Sequence, residues 1–438
     1  MIFVNPIYYV EKLHSLIERG EIVSEQDIRR AGEYLGTPFK RVEVFLERYR
    51  EVFTRFIEKR CSEVPEGHRV CIYSWNRKRA FKSFPVSNYA TGTIILFRDN
   101  EPIEVLSTPL PKALDYFEES EETPREAVPR FVSARVDGWQ VNAYFDKLLG
   151  RWMFSTRYVL HNMYFSMGRL VVGSYGEILN PIVATADMIA EEKDLYKSLD
   201  RFRGWVFIFS LEGPEPAIIS PPYPVAPDTE KYRLYLLAGR DPSGKLYTSE
   251  EVKELIKWDL VPRIIQPKKL SDLYNEIRDS LDTRSYIAWV YRDSEDPLLI
   301  EISSRYYYEA AMTKYMYDAK SAAILCCEDQ CENMKNRLTS DRVKQSIDEI
   351  NALVRDLISY FEKRSSEDPE KIALALSDLV RREIGREAIS SREIATELKS
   401  RSFKRLTKKL LSILFENKSL LSEDLGRVIS ELRMFVRE

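Results

Sequence analysis

The sequence predicts an α+β fold in which a sheet-rich centre lies between a helical leader and an all-helical tail. Three observations predict it. Apolar residues recur at helical spacing through the leader, as in Val10, Leu13 and Leu16, then Val42, Phe45 and Leu46, then Phe53, Phe56 and Ile57. From about residue 69 to 304 the pattern turns to short β-branched and aromatic runs, among them VCIYSW, TGTIILF, WQVNAYF, GWVFIFSL, YRLYLLAG and YIAWVY, divided by Pro, Gly and Asp. Beyond Tyr306 helical periodicity returns and persists to Glu438, with turns or caps at 366–368 and 389–392. Helical intervals at 184–202 and 249–258 interrupt the centre, which makes it α+β rather than regularly alternating. The divisions that follow are 1–64, 65–308 and 309–438.

A chain of 438 residues exceeds what one hydrophobic core usually supports, so several domains are expected. No run approaches the roughly 20 apolar residues of a membrane span, and the amino terminus, MIFVNPIYYVEKLHSL, lacks an export leader. No membrane partner and a cytoplasmic location are therefore expected. Five cysteines, Cys61, Cys71, Cys326, Cys327 and Cys331, are few and odd in number, which predicts free thiols. The last three lack paired-ligand spacing and a nearby histidine, so no metal is expected there. The net charge of -3 hides a basic stretch, SRSFKRLTKKL, at 400–410. Abundant Lys, Arg and Glu with few glutamines resemble the usage of heat-adapted proteins.

Within the leader, Ala31, Gly32, Leu35, Gly36, Val42 and Phe45 fit a helix-turn-helix whose second helix, about 38–48, carries Lys40, Arg41 and Arg48. A packed helical hairpin with a solvated basic edge explains the same residues, and is preferred because short motifs match by chance.

The centre, residues 70–308, resembles the nucleotidyltransferase domain of the phage-type RNA ligase 1 family in the order and spacing of its landmarks. PLPKALDYFE (109–118) is similar to the element that precedes the nucleotide-binding motif, and ARVDGWQVNAYFD (134–146) to that motif itself, with Asp137 and Gly138 matching. WMFSTR (152–157) is similar to the next strand and keeps its threonine–arginine pair, although Tyr158 replaces the following glycine. GWVFIFSLEGPEPAIISPPYP, YRLYLLAGRDPSGKLY and YIAWVYRDSEDPLLIEISSRYYYEA resemble the later landmarks. The resemblance implies a nucleotidyltransferase core of antiparallel sheets.

It also implies a reaction that this chain has lost. In the family a lysine amine attacks the α-phosphate of ATP, which requires a group able to shed its proton. Arg135 stands at that position, and a guanidinium stays protonated while suiting the clamping of phosphate. Thr91 stands for an upstream arginine, Ser210 for a glutamate, Ile287 and Ala288 for a glutamate–glycine pair, and Glu301 and Ser303 for two phosphate-balancing lysines. A carboxylate about 4 Å from a phosphate repels it by about 1 to 4 kcal/mol, where lysine would attract it. Lys112 and Lys147 are alternative nucleophiles, but neither precedes the aspartate–glycine pair as the geometry of the family's chemistry requires.

The expectation is thus a catalytically degenerate, RNA-ligase-like protein that binds RNA or DNA, or serves in a nucleic-acid-processing complex, without a cofactor. Phosphate contacts are expected at Lys112, Arg135 and Arg157, with Asp137 and Gly138 beside them. Lys40, Arg41, Arg48, Lys404, Arg405 and Lys408 are further nucleic-acid candidates, although a solvated helix face explains the last three equally well. The alternatives are an active ligase requiring ATP and Mg, and a protein-binding scaffold. His14, His68 and His161 lie too far apart in sequence to suggest a histidine site, and the five tyrosines between Tyr306 and Tyr317 read as core packing before base stacking.

Overall fold

The computed structural model describes residues 4–64, 67–76, 84–116, 125–160, 180–213, 228–281, 285–291, 296–364, 366 and 368–437. In chain order these form α1 (Pro6–Glu18), α2 (Glu25–Tyr34), α3 (Val42–Glu51), β1 (Ile57–Val64), β2 (His68–Trp75), α4 (Pro85–Tyr89), β3 (Thr91–Arg98), β4 (Glu101–Ser107), β5 (Leu114–Asp115), β6 (Phe131–Ala134), β7 (Trp139–Asp146) and β8 (Arg151–Thr156). There follow α5 (Pro181–Glu192), α6 (Leu195–Leu199), β9 (Val206–Glu212), β10 (Arg233–Arg240), β11 (Leu246–Thr248), α7 (Ser249–Ile256), α8 (Leu270–Ile277), β12 (Ser285–Val290) and β13 (Leu298–Ser303). The remainder is helical: α9 (Tyr307–Met316), α10 (Ala319–Cys327), α11 (Cys331–Lys335), α12 (Asp341–Arg364), α13 (Pro369–Ile384), α14 (Ser391–Lys399), α15 (Phe403–Leu414) and α16 (Glu423–Arg437). The mixed α+β class with mainly antiparallel sheets is as the sequence predicts.

Among the described residues the strands make three sheets, ordered β1-β2-β3-β4, β11-β10-β9-β7-β8 and β5-β13-β12-β6. The pairing of β5 with β13 is parallel, an exception to the expected antiparallel pattern. Two strands far apart in sequence meet there without a hairpin to impose opposite directions.

Period-2 alternation explains why the central strands read as continuous apolar runs. Cys71 and Tyr73 of β2, with Ile95 and Phe97 of β3, face one core that also holds Ile7, Val10, Leu35 and Phe45 of the helical leader. Their neighbours Val70, Ile72, Ile94 and Leu96 face a second core with Tyr144, Met153, Val206 and Ile208. On the other side of the second sheet, Val141, Ala143, Phe154, Phe207 and Phe209 pack with Val183, Ala186 and Ile189 of α5. The central strands of both sheets are buried on both faces, so alternation leaves them no polar face to punctuate the sequence.

The chain divides into two units, Met1–Leu273 with Tyr286–Ile302, and Tyr274–Ser285 with Ser303–Glu438. In the second, the predicted breaks are caps: Asp368 accepts from the Lys371 N–H ahead of Pro369, and Ser390 from the Glu393 N–H. α12 packs against α10, α15 and α16.

Three sequence readings are corrected. Helical spacing was expected to run through Phe53, Phe56 and Ile57 to residue 63, but Val52–Phe56 forms a π-helical turn and β1 begins at Ile57. Pairing with β2 residue by residue, Ile57 opposite Trp75 through Val64 opposite His68, outweighs the local pattern. The expected free thiols are largely paired, as Cys61–Cys71 and Cys326–Cys331, leaving Cys327 free and buried. Cys61 and Cys71 face each other across β1 and β2, a proximity that only the strand register creates. The tyrosine run is not mainly core: Tyr306 is buried, but Tyr308 is 63% exposed and Tyr317 37%.

Candidate functional site

The loop from β6 to β7 carries Arg135, Asp137 and Gly138, and its path is dictated by contacts on both sides. The Ala134 N–H donates to the Arg263 carbonyl at 2.8 Å, and Ser210 Oγ donates to the Val136 carbonyl at 3.5 Å. Gly138 is required by space, because a Cβ there would lie inside contact distance of the Leu211 carbonyl and 2.6 Å from Ser210 Oγ. Ser210 thus serves to seat the loop from β9.

Arg135 does not point to an open phosphate site. Its Nη1 lies 3.1 Å from Glu301 Oε1 and 3.3 Å from Asp137 Oδ1, with Arg135 22% exposed, Glu301 18% and Asp137 fully buried. Glu301 reaches this place because β13 runs beside β5, with Glu301 opposite Asp115 and its carbonyl accepting from the Tyr116 N–H at 2.8 Å. Arg135, before β7, and Glu301, on β13, are therefore bound to each other. Ile287, opposite Ser133 in the β12–β6 pairing, packs against the core between the sheets. Ser303 ends β13.

A second group, Lys112 with Arg157, lies within electrostatic reach of Glu301. Lys112 is held by its main-chain N–H, which donates to the Asn88 carbonyl at 2.8 Å, and its Nζ is 5.5 Å from the Trp75 ring centroid. Arg157 Cζ stacks 3.8 Å from that same centroid. Burial lowers the Lys112 pKa, with Arg157 adding to the shift, while Asp115 and Glu301 oppose it. The approach of β3 to β8 that makes this possible depends on Gly92, at φ 108°, whose added Cβ would meet Arg157 Cα and the Thr156 carbonyl at 3.1 Å. Thr91 donates to the Leu110 carbonyl at 2.7 Å, and Gln140 Nε2 donates to Asn142 Oδ1 at 3.0 Å.

The structure therefore brings Lys112, Arg135, Asp137, Gly138, Arg157, Ser210 and Glu301 into one neighbourhood. Trp75, which supports both cations, was not singled out from the sequence, where it closes an ordinary strand pattern. The other candidates lie elsewhere and are engaged. Lys40 and Arg41 precede α3 rather than forming its first turn, and Lys40 sits 3.6 Å from Glu25. Arg48 is directed inward, donating through Nη2 to the Leu35 carbonyl at 3.0 Å, and only 13% of its side chain is exposed. Lys404 pairs with Asp329 at 2.8 Å, Lys408 with Glu328 at 2.7 Å and Arg405 with Glu397 at 3.4 Å. His14 stacks on Tyr49, His68 is buried in β2, and His161 lies outside the described residues. Among the described residues no group of three or more His, Cys, Asp or Glu is placed to hold a metal ion, and no helix is long and apolar enough to cross a membrane.

No protein-family model and no curated protein matches the chain. Among solved structures, two forms of an archaeal ATP-dependent RNA ligase are similar at 15% identity over 70% of this chain and 75% of that one, with TM-scores of 0.40 and 0.39. The RNA ligase of Naegleria gruberi with PPi is similar at 11% identity over 58% of this chain and 97% of that one, with a TM-score of 0.29.

Proposed function

We propose that this chain is an RNA-ligase-like protein that does not form a lysyl-adenylate, and that it binds nucleic acid alone or as a subunit of a processing complex. The observation that carries the reading is the Arg135–Glu301 ion pair with Asp137 behind it. A guanidinium held between two carboxylates is neither a nucleophile nor a free phosphate ligand. The residues present do not fit ATP and Mg as the resembled family holds them: Ser210 supplies no carboxylate, and Glu301 would repel a phosphate.

A second reading has one observation in its favour. Lys112 is half-buried in the same neighbourhood with a lowered pKa, and desolvation is one way a lysine becomes nucleophilic. One experiment separates the two. The protein is incubated with labelled ATP and magnesium, denatured and resolved on a gel. The expected result is no protein-bound label. A labelled band that disappears in Lys112→Ala overturns the pseudo-ligase reading in favour of an active ligase using Lys112. Two disulfides together with the Lys-, Arg- and Glu-rich composition fit an intracellular protein of a heat-adapted organism, where such bonds are common.

A further inference from the structure

The basic helix α15 is covered by a short acidic turn, and a disulfide clips that turn. Cys326, near the end of α10, is bonded to Cys331, the first residue of α11. Between them stand Glu328 and Asp329, which pair with Lys408 and Lys404 at 2.7 and 2.8 Å. The two pairs are unequal. Asp329 is 86% exposed, so its attraction to Lys404 is largely screened. Glu328 is 22% exposed and also accepts from the Tyr306 hydroxyl at 3.2 Å, which holds its carboxylate facing α15. The turn is tight, with Asp329 at φ 60° and the Gln330 N–H returning to the Leu325 carbonyl at 2.8 Å.

We propose that this turn masks a phosphate-binding face of α15, carried by Lys404 and Lys408, and that reduction of Cys326–Cys331 unmasks it for single-stranded nucleic acid. The partner class rests on the nucleic-acid reading above; the mask itself does not. A carboxylate placed on each lysine occupies the place a backbone phosphate would take. A dithiol reductant supplies the two electrons and two protons that cleave the Sγ–Sγ bond, leaving two thiols and the oxidised, cyclic reductant. Both cysteines are 3% exposed and lie beside buried Cys327. Two separate thiols need more room than a bonded pair, so cleavage at this buried place displaces the turn. It carries Glu328 with it. Burial pushes the Cys327 thiol up to about 12, so it is a poor nucleophile and does not substitute for the lost bond by exchange.

The test uses the full chain and a labelled single-stranded RNA, titrated across salt with and without dithiothreitol, alongside Cys326→Ser/Cys331→Ser and Glu328→Gln/Asp329→Asn. Thiol titration of the denatured protein comes first: one free thiol before reduction and five after are expected, and five before reduction overturns the proposal. The reduced protein should bind more tightly, with a log–log salt slope steeper by about 0.7 for Lys408, whose partner is sheltered, and by at most about 1.4 if Lys404 contributes fully. Glu328→Gln/Asp329→Asn keeps the disulfide and should match the reduced protein without reductant, which guards against a cysteine variant that fails to fold. Equal binding in both redox states, or an unchanged slope in the carboxamide variant, overturns the mask while leaving nucleic-acid binding intact. Binding by none of the forms at low salt overturns the nucleic-acid reading, and this proposal with it.

Discussion

Arg135 Nη1 lies 3.1 Å from Glu301 Oε1, joining the loop before β7 to strand β13. The two positions are complementary: a cation that cannot act as nucleophile beside an anion that cannot hold phosphate. If they form a coupled unit, charge reversal at either alone should cost stability, and reversal at both should recover part of the loss. Arg135→Glu, Glu301→Arg and the double variant, compared by denaturant unfolding, should give a coupling of about 0.5–3 kcal/mol. Strict additivity would show that the pair is incidental.

The same geometry predicts that introducing a lysine at position 135 does not create a nucleophile. In Arg135→Lys the new amine faces the carboxylates of Glu301 and Asp137, which favour its protonated, non-nucleophilic form. Labelled ATP should leave no adduct on this variant. An adduct on the introduced lysine would mean that Glu301 does not control the site.

Gly138 should tolerate no side chain. A Cβ would press on the Leu211 carbonyl and lie 2.6 Å from Ser210 Oγ, so Gly138→Ala is expected to cost about 1–3 kcal/mol. Adding Ser210→Gly should return only part of this, because the carbonyl belongs to the backbone of β9. Full rescue, read from the unfolding midpoint, would contradict the backbone clash.

Arg240 and Asp296 form a nearly inaccessible pair, with Arg240 Nη1 and Nη2 at 3.0 and 2.9 Å from the two carboxylate oxygens and Tyr89 also bound to Asp296. Arg240→Ala leaves the carboxylate without its charged partner and should cost about 3–5 kcal/mol. Arg240→Met with Asp296→Leu should be milder than Arg240→Ala. A single variant as stable as the parent would show that the pair carries no weight.

Asp187 of α5 has its pKa raised to about 7 by burial, with the Tyr196 hydroxyl bond opposing the shift. The folded chain then binds a proton that the unfolded chain releases near pH 4. Its contribution to stability is complete below that pH, falls as pH rises, and is gone above about 7. Asp187→Asn should flatten the decline in Tm between pH 4 and 7. A parent and variant with parallel pH profiles would sink the assignment.

Much of the architecture was legible in residue order. The α+β class, the return of helical periodicity near residue 306, and the caps at Asp368 and Ser390 depend on local spacing and short-range hydrogen bonds, which a sequence displays directly, whereas the start of the strands at Ile57 did not show in the local pattern. Arg135, Asp137, Gly138 and Ser210 were singled out on the resemblance of their segments, and the structure places them together. What the order of residues determined by itself was therefore the kinds of element and the presence of arginine, not lysine, two residues before Asp137. Only the tertiary structure decided that Arg135 is bound by Glu301, that Trp75 underlies Lys112 and Arg157, and that Cys61 faces Cys71. Each of these depends on strand register and the meeting of distant segments. A shift of one residue in register turns a side chain to the opposite face of its sheet, and no local pattern specifies which strand lies alongside.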